Sequence, residues 1–495
     1  MSNSPEETEE AAVTVALTKR RRRWYGERTW HFVLLTSFLL ALQPSASAAV
    51  AAGPAFSEFG LTLDSGRRTE VCGPIFYSEE RDEISQWAFP PLMSFTHDRG
   101  INSTEFDMLY PILTYDRFGV EYRFQIFQLF NFSGGQMMSE TNKHRFSLFP
   151  FYLQQRSQDK SQNYTSILPF YGNLQNRFFR DEVHYIMMPL YVESRKKDVV
   201  TENYLFPIFH LRSGNGLKGW QFWPLVGHEH KIPTLLTNGW GDVVPVPGHD
   251  RAFVVWPFFL NQRAGLGGTN EEHTQVVIPL YSFTRSPMRD STSVPFLLGV
   301  TVTEDREKKY REVGAPWPFV VFRRGETAKI NRVWPFYSEG TNEFLESRFY
   351  LWPVYKYNRV HSDPLDRERT RLLLYLYSDV IEKNTEAGTF LRRRDCWPLF
   401  THRRDWNGNK RLQVLALLEP FLPNNKSIER NYSPLWSLWR DETNAKNGAH
   451  SQSLLWNLYR RETGTNSSKT SVLFGLVQHS STADGGRWRL FYLPR

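Results

Sequence analysis

The sequence predicts an all-β protein, an antiparallel meander of about 20–22 repeat strands, and three observations carry that expectation. A short apolar motif around proline recurs at steps near 20 residues, polar stretches rich in turn formers separate its copies, and aromatic residues make up 15% of the chain. The motif is clearest in "ILPFYG" (167–172), "MMPLYV" (187–192), "LFPIFH" (205–210) and "FWPLVG" (222–227), whose prolines lie 20, 18 and 17 residues apart. Its residues are largely strand formers. Between copies come stretches such as "ESRKKDVVTEN" (193–203) and "RSGNGLKG" (212–219), with the Gly, Asn, Asp and Ser that turns require.

A unit this short has no room for a helix, so one strand per unit is expected, centred on the apolar core. Proline within that core has no N–H to give to a ladder and therefore belongs at a bend, a bulge or the entry to a strand. Proline-free copies at Phe124, Leu372, Leu454 and Val472 keep the period, and the long step between Pro224 and Pro257 predicts a loop insertion at 228–253. Residues 49–495 thus form one repeat domain.

A sheet of that size needs its edges removed. Closure as a large β-barrel is the favoured form, with a soluble β-sandwich, propeller or stacked β-repeat as the alternative. The alternate residues Tyr164, Leu168, Phe170 and Leu174 make a lipid-facing set, whereas Glu202, His210 and Arg212 in another unit do not. The carboxyl-terminal "RLFYLPR" is aromatic-rich but ends in Pro494 and Arg495.

The amino terminus indicates export. A basic stretch, "KRRRRWYGER" (19–28), precedes the apolar run 32–42, then Pro44 and "ASA" at 46–48, the order of a signal peptide spanning 1–48. The apolar run is too short to cross a bilayer comfortably as a helix. Export would permit Cys72 and Cys396 to pair, although nothing in their positions requires it.

The net charge of +8 is spread along the chain, which suits an anionic neighbour such as an envelope polymer and gives no clustered footprint for nucleic acid. The repeated Pro-apolar-Tyr cores between charged turns resemble uncharacterised repeat proteins of bacterial envelopes. That resemblance implies an exported all-β protein and carries over no functional residues.

Chemical motifs are sparse. His228 and His230 face the same side of an extended segment, with His249 and His273 further along, but no partner spacing makes a metal site. No pair of carboxylates has acid and base roles set by spacing, and phosphate-loop, nucleophile-elbow and zinc patterns are absent. The expectation is therefore a protein with no catalytic, cofactor or metal residues. Tryptophan before proline, at Trp223, Trp256, Trp317, Trp334, Trp352 and Trp397, reads either as a stacked core ladder, which the mid-motif placement favours, or as an aromatic girdle at a membrane interface. The function so predicted is an outer-membrane channel or envelope component in contact with lipid. The alternative is a soluble periplasmic or secreted protein that recognises a polymer or protein through its loops.

Overall fold

The computed structural model describes residues 55–135, 143–237, 239, 241–483 and 485–492; the signal peptide and its cleavage site, like Pro494 and Arg495, lie outside the described residues. Among the described residues the fold is all-β, with 61% strand and 4% helix. Among the described residues, 42 strands form one antiparallel sheet, from β1 (Ser57–Gly60) to β44 (Gly485–Leu490), and each pairs with its neighbours along the chain.

Each unit supplies two strands where the sequence suggested one. In the stretch from β12 (Tyr164–Ile167) through β13 (Tyr171–Arg177), β14 (Arg180–Ile186), β15 (Tyr191–Lys196) and β16 (Val199–Tyr204) to β17 (Phe209–Gly214), the cores 168–170, 187–190 and 205–208 are not strand centres. They are the turns between strands. The reason is the donor count: a turn has no ladder N–H to supply at the proline, and the flanking polar residues alternate well enough to form the ladders. The alternation through Leu168 and Phe170 is broken by the same turn. The bonds Leu168–Pro169, Met188–Pro189 and Phe206–Pro207 are cis.

The insertion is a hairpin in its own two-stranded sheet, β20 (Thr234–Thr237) with β21 (Val243–Val246). Residues 228–231 and 248–253 continue the meander, because β19 (Val226–Lys231) pairs directly with β22 (Gly248–Val254).

The two faces of the sheet differ. Next to the proline turns, one face carries Tyr171, Ile186, Tyr191, Tyr204, Phe209 and Phe222 in register across successive strands, with Tyr191 and Tyr204 ring centroids 5.4 Å apart. The corresponding row on the other face runs Gly172, Tyr185, Val192, Asn203, His210 and Gln221. A small core of Leu153, Tyr164, Leu174 and Tyr185 is buried on this second face. Gly172 makes it possible, since a Cβ there would overlap the buried Tyr185 ring. Gly172→Ala should cost about 1–3 kcal/mol, read as a lower unfolding midpoint; an unchanged midpoint would show that this ring is free to move.

Among the described residues, the expected barrel closure by a ladder is not formed: β1 pairs with β2 (Arg67–Val71) and β44 with β43 (Val477–Thr482), and neither with the other. The two ends of the sheet nevertheless meet. Between β38 (Lys410–Val414) and β39 (Trp439–Thr443) the chain makes two short helices, α1 (Lys426–Asn431), capped by the Asn425 side chain on the Ile428 N–H at 3.0 Å, and α2 (Ser433–Trp436). α1 packs on β4 (Ile84–Phe89) and β5 (Met93–Asp98). Side chains rather than backbone then bridge the ends, with Thr62 donating to Ser451 at 2.6 Å and Asn444 to the Thr62 and Leu63 carbonyls at 3.1 Å.

Candidate functional site

Two features stand out, an apolar rim and a charged cavity. The proline-type turns all lie along one long edge of the sheet. From residues 72–75 to 473–476, leaving aside the helical connection at 415–438, these turns contain no Asp, Glu, Lys or Arg. The opposite edge carries turns such as Asp82 with Glu83, Lys197 with Asp198, and "REKK" at 306–309, with Phe178 and Phe179 as its main apolar exception.

The rim is exposed as well as uncharged: Phe336 is 62% accessible, Leu351 59%, Trp352 46% and Trp334 41%. Of the six tryptophans before proline, Trp223, Trp256 and Trp397 are exposed too. They are not a buried core ladder. Adjacent rings still touch along the edge, with Trp223 and Trp256 centroids 6.1 Å apart and Trp334 and Trp352 also 6.1 Å apart.

The backbone of the rim is satisfied from within. In the turn 187–190, Met187 N–H donates to the Phe170 carbonyl (2.6 Å), Met188 N–H to that of Pro169 (2.7 Å) and Leu190 N–H to that of Met187 (2.8 Å). Pro189 has no N–H. The same pattern holds at 255–258 and 351–354, where Trp256 bonds to Pro224 and Trp352 to Pro335, both at 2.7 Å. Neighbouring turns are thus joined along the edge, and proline removes the one donor that would otherwise be left over. Sequence reasoning missed this, although the absence of charge from every core was its signal.

The cavity, of about 380 Å³, lies where the ends of the sheet meet. Its wall is charged on both sides. Arg68 donates to Glu70 (2.8 Å) and Glu79 (3.3 Å) and lies 3.8 Å over the Tyr77 ring, and Arg411 donates to Glu442 at 2.8 Å. Arg430 on α1 reaches Glu105 at 2.8 Å and Asp107 at 2.5 Å, while its carbonyl accepts from Tyr77 Oη at 2.9 Å.

Burial alone would raise the Glu442 carboxyl, but the Arg411 and Arg440 guanidiniums and the hydrogen bond from Arg411 bring it down to about 2. A depressed folded-state value means stability that is present above the unfolded value, about 4.3, and lost as pH falls through the folded value. Acid destabilisation between about pH 4 and pH 2 should therefore be shallower in Glu442→Gln than in the wild type. Parallel acid-unfolding curves for the two would reject this assignment.

The histidines of the sequence analysis do not converge. His228 and His230 share a face, as their spacing requires, and His228 Nε2 lies 2.7 Å from Asp250. His249 is on the other face, with Nε2 2.6 Å from Glu229, and His273 Nε2 is 2.8 Å from Asn261. Among the described residues, no group of three or more His, Cys, Asp or Glu is arranged to hold a metal ion. Cys72 and Cys396 are both free thiols. Comparison with protein-family models and with curated proteins gives no match.

Proposed function

We propose that this chain is an exported, non-catalytic β-repeat component of a bacterial cell envelope that lies on a lipid bilayer through its apolar rim. One observation carries the reading: an edge of uncharged turns, armed with exposed Trp, Phe and Leu, whose backbone N–H groups are paired from turn to turn. Such an edge can leave water at little polar cost. At 4.7–4.9 Å per strand, 42 strands make it about 200 Å long, a contact that a membrane surface covers more readily than a single protein partner.

Strand length favours insertion into one leaflet over a spanning channel. Strands of four to eight residues extend about 14–27 Å, and only the row beside the turns is regularly apolar, whereas spanning strands need about 9–11 residues. The rim and that first row match the roughly 5–10 Å to which interfacial elements enter.

Cell fractionation tests the proposal. The protein should stay with membranes through a high-salt wash, since apolar contact is not screened, and be released by detergent. Release by salt alone would instead support the soluble alternative, a protein that recognises its partner through loops.

A further inference from the structure

Just above the rim, one face of three adjacent strands carries cations that the protein does not offset. β33 (Tyr355–Ser362) begins at the rim turn 351–354, and β34 (Leu365–Leu372) ends at the rim turn 373–376, which leads into β35 (Tyr377–Asn384). On the face away from Tyr355, Leu372 and Tyr377, Lys356 stands directly opposite Arg371, Asn358 opposite Arg369, and Arg367 opposite Glu382. Glu382 is the one carboxylate in this group, and Arg367 holds it at 3.0 Å. On the next strand, β36 (Thr389–Cys396), Asp395 faces the same side and is held by Arg393 at 2.7 Å.

Among the described residues, Lys356, Arg369 and Arg371 have no carboxylate within 4.0 Å and no hydrogen-bond acceptor. All three are partly exposed. The Arg371 guanidinium lies 5.0 Å over the ring of Tyr375, a rim residue. Like charges directly opposite on neighbouring strands repel, so the Lys356 and Arg371 pair is unfavourable within the protein alone. Burial and the Arg371 and Arg367 guanidiniums lower Arg369, as expected where positive charge is in excess.

We propose that Lys356 and Arg371 bind the headgroup of an anionic phospholipid in the bilayer on which the rim rests, with Arg369 adding to the field from further up the same face. This inference rests on the membrane reading above and names the lipid class. Lys356 follows the last turn residue, Val354, by two positions, and Arg371 precedes Leu373 by two, so both leave the backbone about 7 Å from the rim. At that height long cationic side chains reach phosphates while their stems stay in apolar surroundings. An ammonium beside a guanidinium offers a phosphodiester one point charge and one forked donor. The adjoining turns expose Leu351, Trp352, Leu373 and Leu374 to acyl chains. A soluble phosphate compound would meet the same cations but leave those side chains in water, so the surface fits a lipid better.

Vesicle co-sedimentation of the full-length protein tests this, comparing phosphatidylcholine alone with a two-to-one mixture of phosphatidylcholine and phosphatidylglycerol at physiological ionic strength. Partition into the mixed vesicles should be higher by about tenfold or more, since each cation at an anionic surface contributes severalfold. Lys356→Gln combined with Arg371→Gln should remove most of that increment and leave partition into phosphatidylcholine unchanged. Lys356→Arg with Arg371→Lys, which keeps both charges, should retain it. Lys308→Gln with Lys309→Gln removes the same charge at the opposite edge, about 17 Å or more from the rim and beyond the screening length of about 8 Å, and should retain it too. In lipid-free buffer the Lys356→Gln, Arg371→Gln variant should melt at or above the wild-type temperature, because a repulsion is relieved. Equal partition of the wild type into both vesicles, a preference that survives in that variant, an equal loss in the Lys308 and Lys309 variant, or a clear loss of stability in the first would overturn the headgroup site, while binding to phosphatidylcholine kept the rim reading. Absence of binding to phosphatidylcholine would instead remove the rim reading, and the headgroup site with it.

Discussion

Replacing Arg430 by alanine should cost about 3–5 kcal/mol, the range for removing one partner of a buried ion pair and leaving the other charged. Arg430 is only 4% exposed, and it gathers donors and acceptors from elements remote in the chain. It donates to Ser94 (2.8 Å), Thr96 (2.7 Å), Glu105 (2.8 Å) and Asp107 (2.5 Å). Without it, Asp107, 2% exposed, keeps only the Asn431 amide at 3.0 Å and the Ser94 hydroxyl at 3.4 Å. The α1 turn would also be held less firmly to β5 and β6 (Ser103–Met108), so limited proteolysis between residues 415 and 438 should accelerate together with the drop in unfolding midpoint. Arg306→Ala, which breaks an exposed pair with Asp290, should leave the unfolding midpoint nearly unchanged. If Arg430→Ala were as mild, the ends of the sheet would be held by something other than this cluster.

Converting Trp334, Phe336, Leu351 and Trp352 together to aspartate should lower the partition of the protein into lipid vesicles by about 10²-fold or more. Each large apolar side chain taken out of a non-aqueous environment forfeits about 1.5–3 kcal/mol, so even two of the four suffice for that factor. The substitutions lie on exposed turn positions, and the fold should survive them, as the circular dichroism spectrum would show. Phe178 and Phe179 supply the control. They are exposed apolar residues on the opposite edge, and their double replacement by aspartate should leave partition unchanged. Equal losses from the two edges would mean that binding follows general hydrophobicity and that the rim has no special role.

Much of this architecture was readable in the residues. The period near 20, the uncharged cores and the Gly, Asn and Asp between them are local signals, and they led to an antiparallel meander with little helix. The placement of those cores was misjudged for an identifiable reason. Leu168, Pro169 and Phe170 have strand-forming neighbours on both sides and Phe170 has high β propensity of its own, so propensity pointed to a strand while the missing proline donor pointed to a turn. Hydrogen-bond satisfaction decided between them. Once the cores became turns, the strands had to come from the polar stretches, and the strand number doubled. The same exchange moved Trp334 and Trp352 from an imagined core to an exposed edge.

The sequence by itself determined the all-β class, the meander order and the segregation of charge from every core, because propensity, turn chemistry and short-range pairing act over a few residues. Only the tertiary structure decided that the uncharged cores fall on one edge, and that residues 323 apart, Asp107 and Arg430, share a buried pair. The first follows once the cores are turns, since alternate turns of a meander share an edge, and the second depends on how the small twist of each strand accumulates over some 40 strands. No local window of sequence contains that sum, so the side chains that meet where the ends approach have no signature until the sheet has been built.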